Sequence, residues 1–98
     1  GNYDEAIKAY DEVIRVAPRI AMGLNNKGVA FAELGKYDEA VKAYDEAIRL
    51  DPNLALAWHN KGIALKALGR TGEADAAFAK AKELGYKRIR LSPISLLP

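Results

Sequence analysis

The chain has 98 residues, half of them hydrophobic, which is the size and apolar content of one small domain. It contains no cysteine, so disulfide bonds, thiol catalysis and zinc sites built from cysteine are excluded. The net charge of +2 is too small to indicate a polyanionic partner by itself. No apolar run approaches the roughly 20 residues of a membrane span and no signal peptide is visible, so we expect a cytoplasmic protein that does not enter membranes.

The sequence repeats itself at one fixed offset, which places Gly1 on Gly35 and Tyr10 on Tyr44. Residues 1–20 and 35–54 are identical at 13 of 20 positions when they are aligned in this way. The same offset places Asn26-Lys27-Gly28 on Asn60-Lys61-Gly62. Agreement at so many positions with one fixed spacing indicates a structural unit that is copied along the chain.

Each unit is predicted to contain two helices. Apolar residues in segment 38–50 recur at helical spacing, with charged residues on the opposite side. Asp38 is the expected N-cap, and Pro52 follows the expected end of this helix. Segment 54–68 is the predicted partner helix, and Gly69 is expected to end it in the left-handed conformation. Connections of about three residues make such helices antiparallel neighbours.

This pattern of large, glycine, aromatic, alanine and proline positions resembles the tetratricopeptide repeat. The residues at the family positions are Leu24, Gly28, Phe31, Ala40, Tyr44, Ala47 and Pro52 in the first complete unit, and Trp58, Gly62, Leu65, Ala74, Phe78 and Ala81 in the second, with Tyr86 where proline is expected. The resemblance implies an all-α fold, a right-handed superhelical stack of antiparallel helix pairs with about five helices and a C-terminal tail. We expect Gly28 and Gly62 to let the two helices of a unit approach closely.

Four segments follow from the repeat. We interpret residues 1–20 as the second helix of an incomplete repeat, residues 21–54 and 55–88 as two complete repeats, and residues 89–98 as a tail outside the repeat. A stack normally carries a polar cap at each end, and neither end of this sequence resembles one. We therefore interpret the chain as a fragment of a longer array.

No motif predicts catalysis. His59 is the only histidine, and no second ligand type is spaced to form a metal site with it. Acidic pairs such as Asp38-Glu39 alternate with lysine and arginine at i+3 and i+4, which is typical of a solvated helix face. The pairs also recur from one unit to the next, which a catalytic site would not do. We expect neither enzymatic activity nor a cofactor.

The resemblance implies that the first helices of successive units line a concave groove that binds a peptide or a partner helix. The positions carried over to this groove are Met22, Asn25, Asn26, Val29, Glu33, Leu56, His59, Asn60, Ile63 and Lys66. Their spacing along each helix is that of a single stripe. We expect Asn26 and Asn60 to hydrogen-bond the backbone of an extended ligand. Because Val29, Leu56 and Ile63 stand where one branch of the family grips a carboxylate with polar or basic residues, we expect a more apolar ligand.

The leading hypothesis for function is a scaffold that binds a protein or peptide segment. The first alternative is self-association through the uncapped ends of the array, either end to end or by exchange of a helix. The second is RNA binding, which would need basic residues along the concave stripe. Only Lys66 is basic there, and Glu33 opposes it. Nucleic acid is therefore the least favoured partner.

Overall fold

A computed structural model describes the backbone of residues 2–86 and the side chains of residues 5, 8 and 16–86. The helices are α1 (Asn2–Glu33), α2 (Tyr37–Leu50), α3 (Ala55–Ala67) and α4 (Thr71–Glu83). No strand occurs in this part of the chain, which confirms the predicted all-α class. The predicted tail, residues 89–98, lies outside the described residues. None of the four helices has both the length and the apolar composition to cross a membrane.

Helix α1 is a single helix of 32 residues that passes through Pro18. The sequence predicts two helices here, separated near that proline. The described residues therefore contain four helices instead of about five, and the predicted boundary between residues 20 and 21 falls inside α1.

The turn between α2 and α3 occupies the positions that correspond to residues 17–20 of α1 one repeat earlier. Its hydrogen bonds show which interactions α1 lacks there. The backbone N–H of Asn53 donates a hydrogen bond to the carboxylate of Asp51 at 3.2 Å. The indole Nε1 of Trp58 donates to the carbonyl oxygen of Pro52 at 3.0 Å. These two hydrogen bonds give the Asn53 N–H and the Pro52 carbonyl side-chain partners in place of helical ones, so the chain can turn here.

Both of these interactions are missing at the equivalent positions one repeat earlier. Ala17 replaces Asp51 and has no acceptor, while Leu24 replaces Trp58 and has no donor. Alanine also has the highest intrinsic helix propensity. Pro18 removes one helical hydrogen bond, which costs about 3 kcal/mol, but the weakened turn competes poorly with a continuous helix. The absence of turn chemistry explains why the helix continues.

The helices pack as antiparallel neighbours in chain order. The C-terminal half of α1 packs on α2, α2 packs on α3, and α3 packs on α4. Small residues make the close contacts within each pair. A Cβ atom added to Gly28 would lie 2.5 Å from the Tyr44 ring, and one added to Gly62 would lie 2.7 Å from the Phe78 ring. The predicted close approach at both glycines is confirmed.

Three helices end in the same hydrogen-bonded turn. Gly35, Gly69 and Gly85 have φ angles of 79°, 81° and 96°, a conformation that favours glycine. After each glycine, the next backbone N–H donates to the carbonyl five positions earlier, as Tyr86 does to Ala81 at 2.9 Å. This turn directs the residue after the glycine back towards its own helix pair.

The start of α2 differs from the prediction in detail. The helix begins at Tyr37, and Lys36 occupies the N-cap position without a side-chain cap hydrogen bond. Asp38 therefore lies in the first turn, where its charge is favoured by the helix dipole, and does not cap the helix.

Candidate functional site

Two adjoining cavities lie beside α3, one towards α4 and the other towards α1 and α2. The larger encloses about 810 Å³ and is lined by His59, Ile63, Lys66, Ala67, Phe78, Lys82 and Tyr86. The smaller encloses about 290 Å³ and is lined by Val29, Ala32, Glu33, Tyr37, Tyr44, Asn60, Ile63 and Ala64. Ile63 belongs to both, so we treat these two sets of residues as one site, the α3 groove.

Aromatic rings form much of the larger cavity. The Tyr86 ring stacks on the His59 ring, with 4.1 Å between centroids and an angle of 15° between planes. The Phe78 ring lies 5.3 Å from His59 at a tilt of 55°. Tyr86 reaches this position because the left-handed Gly85 turns the chain back after α4. The three rings form an aromatic surface beside the aliphatic Ile63.

The charges of the α3 groove are unequal at its two ends. Lys66 and Lys82 line the larger cavity and are exposed to solvent. Glu33 lines the smaller cavity. The larger cavity is therefore electropositive, and the smaller one is lined by a carboxylate.

The structure divides the predicted groove residues into two groups. Those that line the α3 groove are Val29, Glu33, His59, Asn60, Ile63 and Lys66. Those that line neither of its cavities are Met22, Asn25, Asn26 and Leu56. The first group includes residues from both α1 and α3, so the groove does cross from one helix pair to the next.

Asn25 is a correction to the sequence prediction. Its side chain is 1% exposed, and its Oδ1 accepts a hydrogen bond of 3.1 Å from Nδ2 of Asn60. Its Nδ2 lies 4.0 Å from the sulfur of Met22, a weak acceptor. A buried amide needs partners of this kind. Asn25 therefore joins α1 to α3 and does not present its amide to a ligand.

Sequence reasoning missed the groove residues contributed by other elements, namely Tyr37, Tyr44, Phe78, Lys82 and Tyr86. Tyr44 and Phe78 were recognised only as packing positions of the repeat. Gly85 carried a usable signal for Tyr86, because a glycine after a helix indicates a turn that returns the next residue to the helix.

Burial raises the pKa of the Tyr44 hydroxyl above its usual range, and the negative charge of Glu33 raises it further. The ring of Tyr44 forms part of the wall of the smaller cavity. At neutral pH the hydroxyl is therefore protonated and uncharged.

The α3 groove combines apolar and polar side chains. It offers aromatic rings, aliphatic side chains, one amide, one carboxylate and two ammonium groups. Among the side chains that the structure describes, those of residues 5, 8 and 16–86, no three or more histidine, cysteine, aspartate or glutamate residues are placed together to hold a metal ion. An elongated apolar surface with a few polar groups fits a polypeptide segment.

Comparison with known proteins gives two matches to family models, both described as tetratricopeptide repeat. One covers residues 1–55 and the other covers residues 43–76. No curated protein matches the chain.

Proposed function

The chain belongs to the tetratricopeptide repeat family, and on this premise we propose that it binds a segment of a partner protein in the α3 groove. Repeats of this family generally mediate protein–protein interactions and are typically non-catalytic scaffolds. The observation that carries the proposal is the position of Ile63. This large aliphatic side chain is 48% exposed at the junction of the two cavities, where an incoming side chain would cover it.

Apolar contact would supply most of the affinity. Full burial of an exposed aliphatic side chain contributes about 1.5–3 kcal/mol, so covering the half-exposed Ile63 would contribute roughly half of that. The rings of His59, Phe78 and Tyr86 add rigid area that loses little conformational entropy on binding.

Asn60 would supply a hydrogen bond to the backbone of the partner segment. Its Nδ2 already donates to Asn25, which fixes the orientation of the amide. The amide oxygen can then accept a hydrogen bond from the backbone of a partner segment without demanding a particular side chain.

The charges favour one orientation of the partner. An acidic residue beside Lys66 and Lys82 would complement the larger cavity, and a basic or neutral residue would be favoured near Glu33. We therefore propose an extended segment with an apolar centre and an acidic end. The same two lysines are too few to favour RNA, which leaves nucleic acid as the weaker alternative.

The arrangement of the whole array is part of this proposal. Division into repeats at residues 21–54 and 55–88, stacked as a right-handed superhelix, would place the α3 groove on the concave side.

Selection from a random-peptide display library tests the proposal. Peptides that bind the intact chain would be titrated by fluorescence anisotropy against the chain and its variants. We expect Ile63→Glu to weaken binding about ten- to hundredfold, because it puts a charge into the apolar junction. Lys82→Glu should weaken the binding of acidic peptides and leave the affinity for neutral peptides nearly unchanged.

Leu34→Glu is the matched control. Leu34 is 70% exposed and lines neither cavity, so the same change of an aliphatic residue to glutamate should leave binding unchanged. Equal losses in Leu34→Glu and Ile63→Glu would show that the peptides bind elsewhere and would contradict the proposal. So would selected ligands that bind Ile63→Glu as tightly as the unchanged chain.

A further inference from the structure

Part of α1 is uncovered where the equivalent part of α3 is covered. We call this part the α1 face; it consists of Gly23, Lys27, Ala30 and Phe31, whose counterparts in the next repeat are Ala57, Lys61, Ala64 and Leu65. Ala64 is 0% exposed and Leu65 is 1% exposed. Ala30 is exposed, and Phe31 is only half-buried and lines a cavity of about 500 Å³.

Helix α2 is what covers the counterpart on α3. Nζ of Lys61 lies 2.7 Å from a carboxylate oxygen of Asp45 on α2 and 5.5 Å from the centroid of the Trp58 ring. Ala47 of α2 and Ala57 of α3 belong to the same buried cluster. The second helix of one unit therefore packs on the first helix of the next unit.

The segment that matches α2 in the preceding unit is residues 3–16, but it cannot cover the α1 face of its own chain. These residues belong to the same continuous helix as the α1 face. A helix rises 1.5 Å per residue, so α1 is a rod of about 48 Å whose first half points away from its second half. The segment and its expected binding surface are both present, but they are held apart.

We propose that the α1 face is covered by residues 3–16 of a second copy of the chain, in a reciprocal exchange of helices. The α1 helices of the two copies would lie antiparallel. Each would supply the helix that the other lacks, and the exchange would form a closed dimer with twofold symmetry.

The register of α2 on α3 supports this arrangement. Moving the Asp45–Lys61 pair back by one repeat gives Asp11 and Lys27. In an antiparallel pair of identical helices, Asp11 of each copy then stands beside Lys27 of the other. Both ion pairs are centred on residue 19, so a single twofold axis satisfies them.

The sizes of the residues in contact also support exchange. Ala47 and Ala57, which share a buried cluster, correspond to Val13 and Gly23. A larger residue on one helix is matched by a smaller one on the other, which keeps the combined volume of the pair close to that of the two alanines. This compensation is expected if residues 3–16 and the α1 face pack together, and the continuous helix places that packing between two copies.

Two charge-reversed variants test whether the contact joins two copies. Sedimentation velocity should show a dimer for the unchanged chain. Lys27→Glu alone places two carboxylates together, and Asp11→Lys alone places two ammonium groups together, so each should raise the Kd of the dimer about ten- to hundredfold. Mixing the two variants should restore dimers, because a heterodimer pairs Asp11 with Lys27 at one site and Lys with Glu at the other.

The mixing step separates exchange from folding within one chain. If residues 3–16 folded back on their own α1 face, neither variant could correct the other, and mixing would have no effect. That result would overturn the proposal. A monomer at all concentrations of the unchanged chain, or open-ended assemblies larger than a dimer, would overturn it as well.

A further variant tests whether the continuous helix α1 is the cause of dimer formation. Ala17→Asp and Leu24→Trp introduce the two side chains that hold the turn between α2 and α3, and Arg19→Asn completes the match to its sequence. We expect this variant to fold back and sediment as a monomer with unchanged helical content. A persistent dimer would count against helix exchange. Ile63→Glu should leave the dimer intact, so failure of the peptide proposal and failure of this one are distinguishable.

Discussion

Gly28 and Tyr44 are in such close contact that a side chain on the glycine would force the Tyr44 ring to shift. A Cβ atom there would lie 2.5 Å from Cε1 of the Tyr44 ring, whereas real Cβ contacts are essentially never under 3.0 Å. Tyr44 is itself buried, so its ring has no free space to move into. Because Gly62 and Phe78 repeat this relationship, the spacing of both helix pairs depends on a glycine.

Gly28→Ala should therefore destabilise the chain, although alanine is the better helix former. We expect the free energy of unfolding to fall by about 1–3 kcal/mol, the usual cost of overpacking a core. Urea unfolding followed by circular dichroism measures this change. Gly62→Ala should behave in the same way against Phe78.

Gly72→Ala is the control for these substitutions. Gly72 lies in α4 with no other group within 4 Å of an added Cβ. Without a clash, alanine should be neutral or stabilise the chain by up to about 1 kcal/mol through helix propensity. A loss at Gly72 as large as that at Gly28 would contradict the steric explanation.

The turn between α2 and α3 leads to a second prediction. Asp51→Ala removes the acceptor for the Asn53 N–H and should cost about 0.5–1.5 kcal/mol of unfolding free energy. Asp51→Asn retains a side-chain oxygen and should recover most of that loss. Equal stability of the alanine and asparagine variants would show that this hydrogen bond does not hold the turn.

That turn also shows where sequence reasoning succeeds and where it fails. The repeat period predicts the helix pairs and the close contact at Gly28, because these depend on residues that recur in each unit. The end of a helix depends on a few local bonds instead. Pro18 repeats Pro52, but Ala17 does not repeat Asp51, and the helix continues. The repeated position of Pro18 therefore predicted a turn, although the side chains that hold the turn are absent at Ala17 and Leu24.

The lining of the α3 groove was predictable only in part for a similar reason. Helical spacing selects a stripe, and two residues of that stripe, Ile63 and Lys66, line the larger cavity. It does not show which polar residues of the stripe bond to each other, as Asn25 and Asn60 do. It also omits residues of other elements, such as Tyr86, which reaches the groove only after the turn at Gly85.

The raised pKa of Tyr44 predicts loss of stability at high pH. Burial is the larger cause and the charge of Glu33 the smaller one. The unfolded chain ionises Tyr44 at its ordinary pKa near 10, and the folded chain ionises it only at higher pH. Tyr44 therefore makes its full contribution to the free energy of unfolding below about pH 10. That contribution is lost as the pH rises through the pKa of the folded chain, by at most about 1.4 kcal/mol per pH unit.

Comparison with Tyr44→Phe isolates this effect from other groups that titrate in the same range. Above about pH 10, the unchanged chain should lose unfolding free energy more steeply with rising pH than Tyr44→Phe does. Glu33→Gln should reduce the difference between the two slopes without removing it, because burial remains. Parallel slopes would contradict the assignment to Tyr44.

The hydrogen bond between Asn60 and Asn25 should affect both stability and the proposed peptide binding, and the last prediction separates the two effects. Asn25→Ala should lower the unfolding free energy by about 1–3 kcal/mol, since it leaves a donor of Asn60 without its acceptor in a partly buried site. In a double-mutant cycle with Asn60→Ala, the two losses should be less than additive, with a coupling of about 0.5–1.5 kcal/mol. Additive losses would show that the bond contributes nothing to folding.

The same cycle applied to peptide binding tests whether Asn25 positions Asn60. Asn25 lines neither cavity, so its substitution can affect affinity only through another residue. We expect Asn25→Ala to weaken binding in the chain that has Asn60 and to have no further effect in Asn60→Ala. An equal effect of Asn25→Ala in both backgrounds would assign the loss to general destabilisation of the contact between α1 and α3.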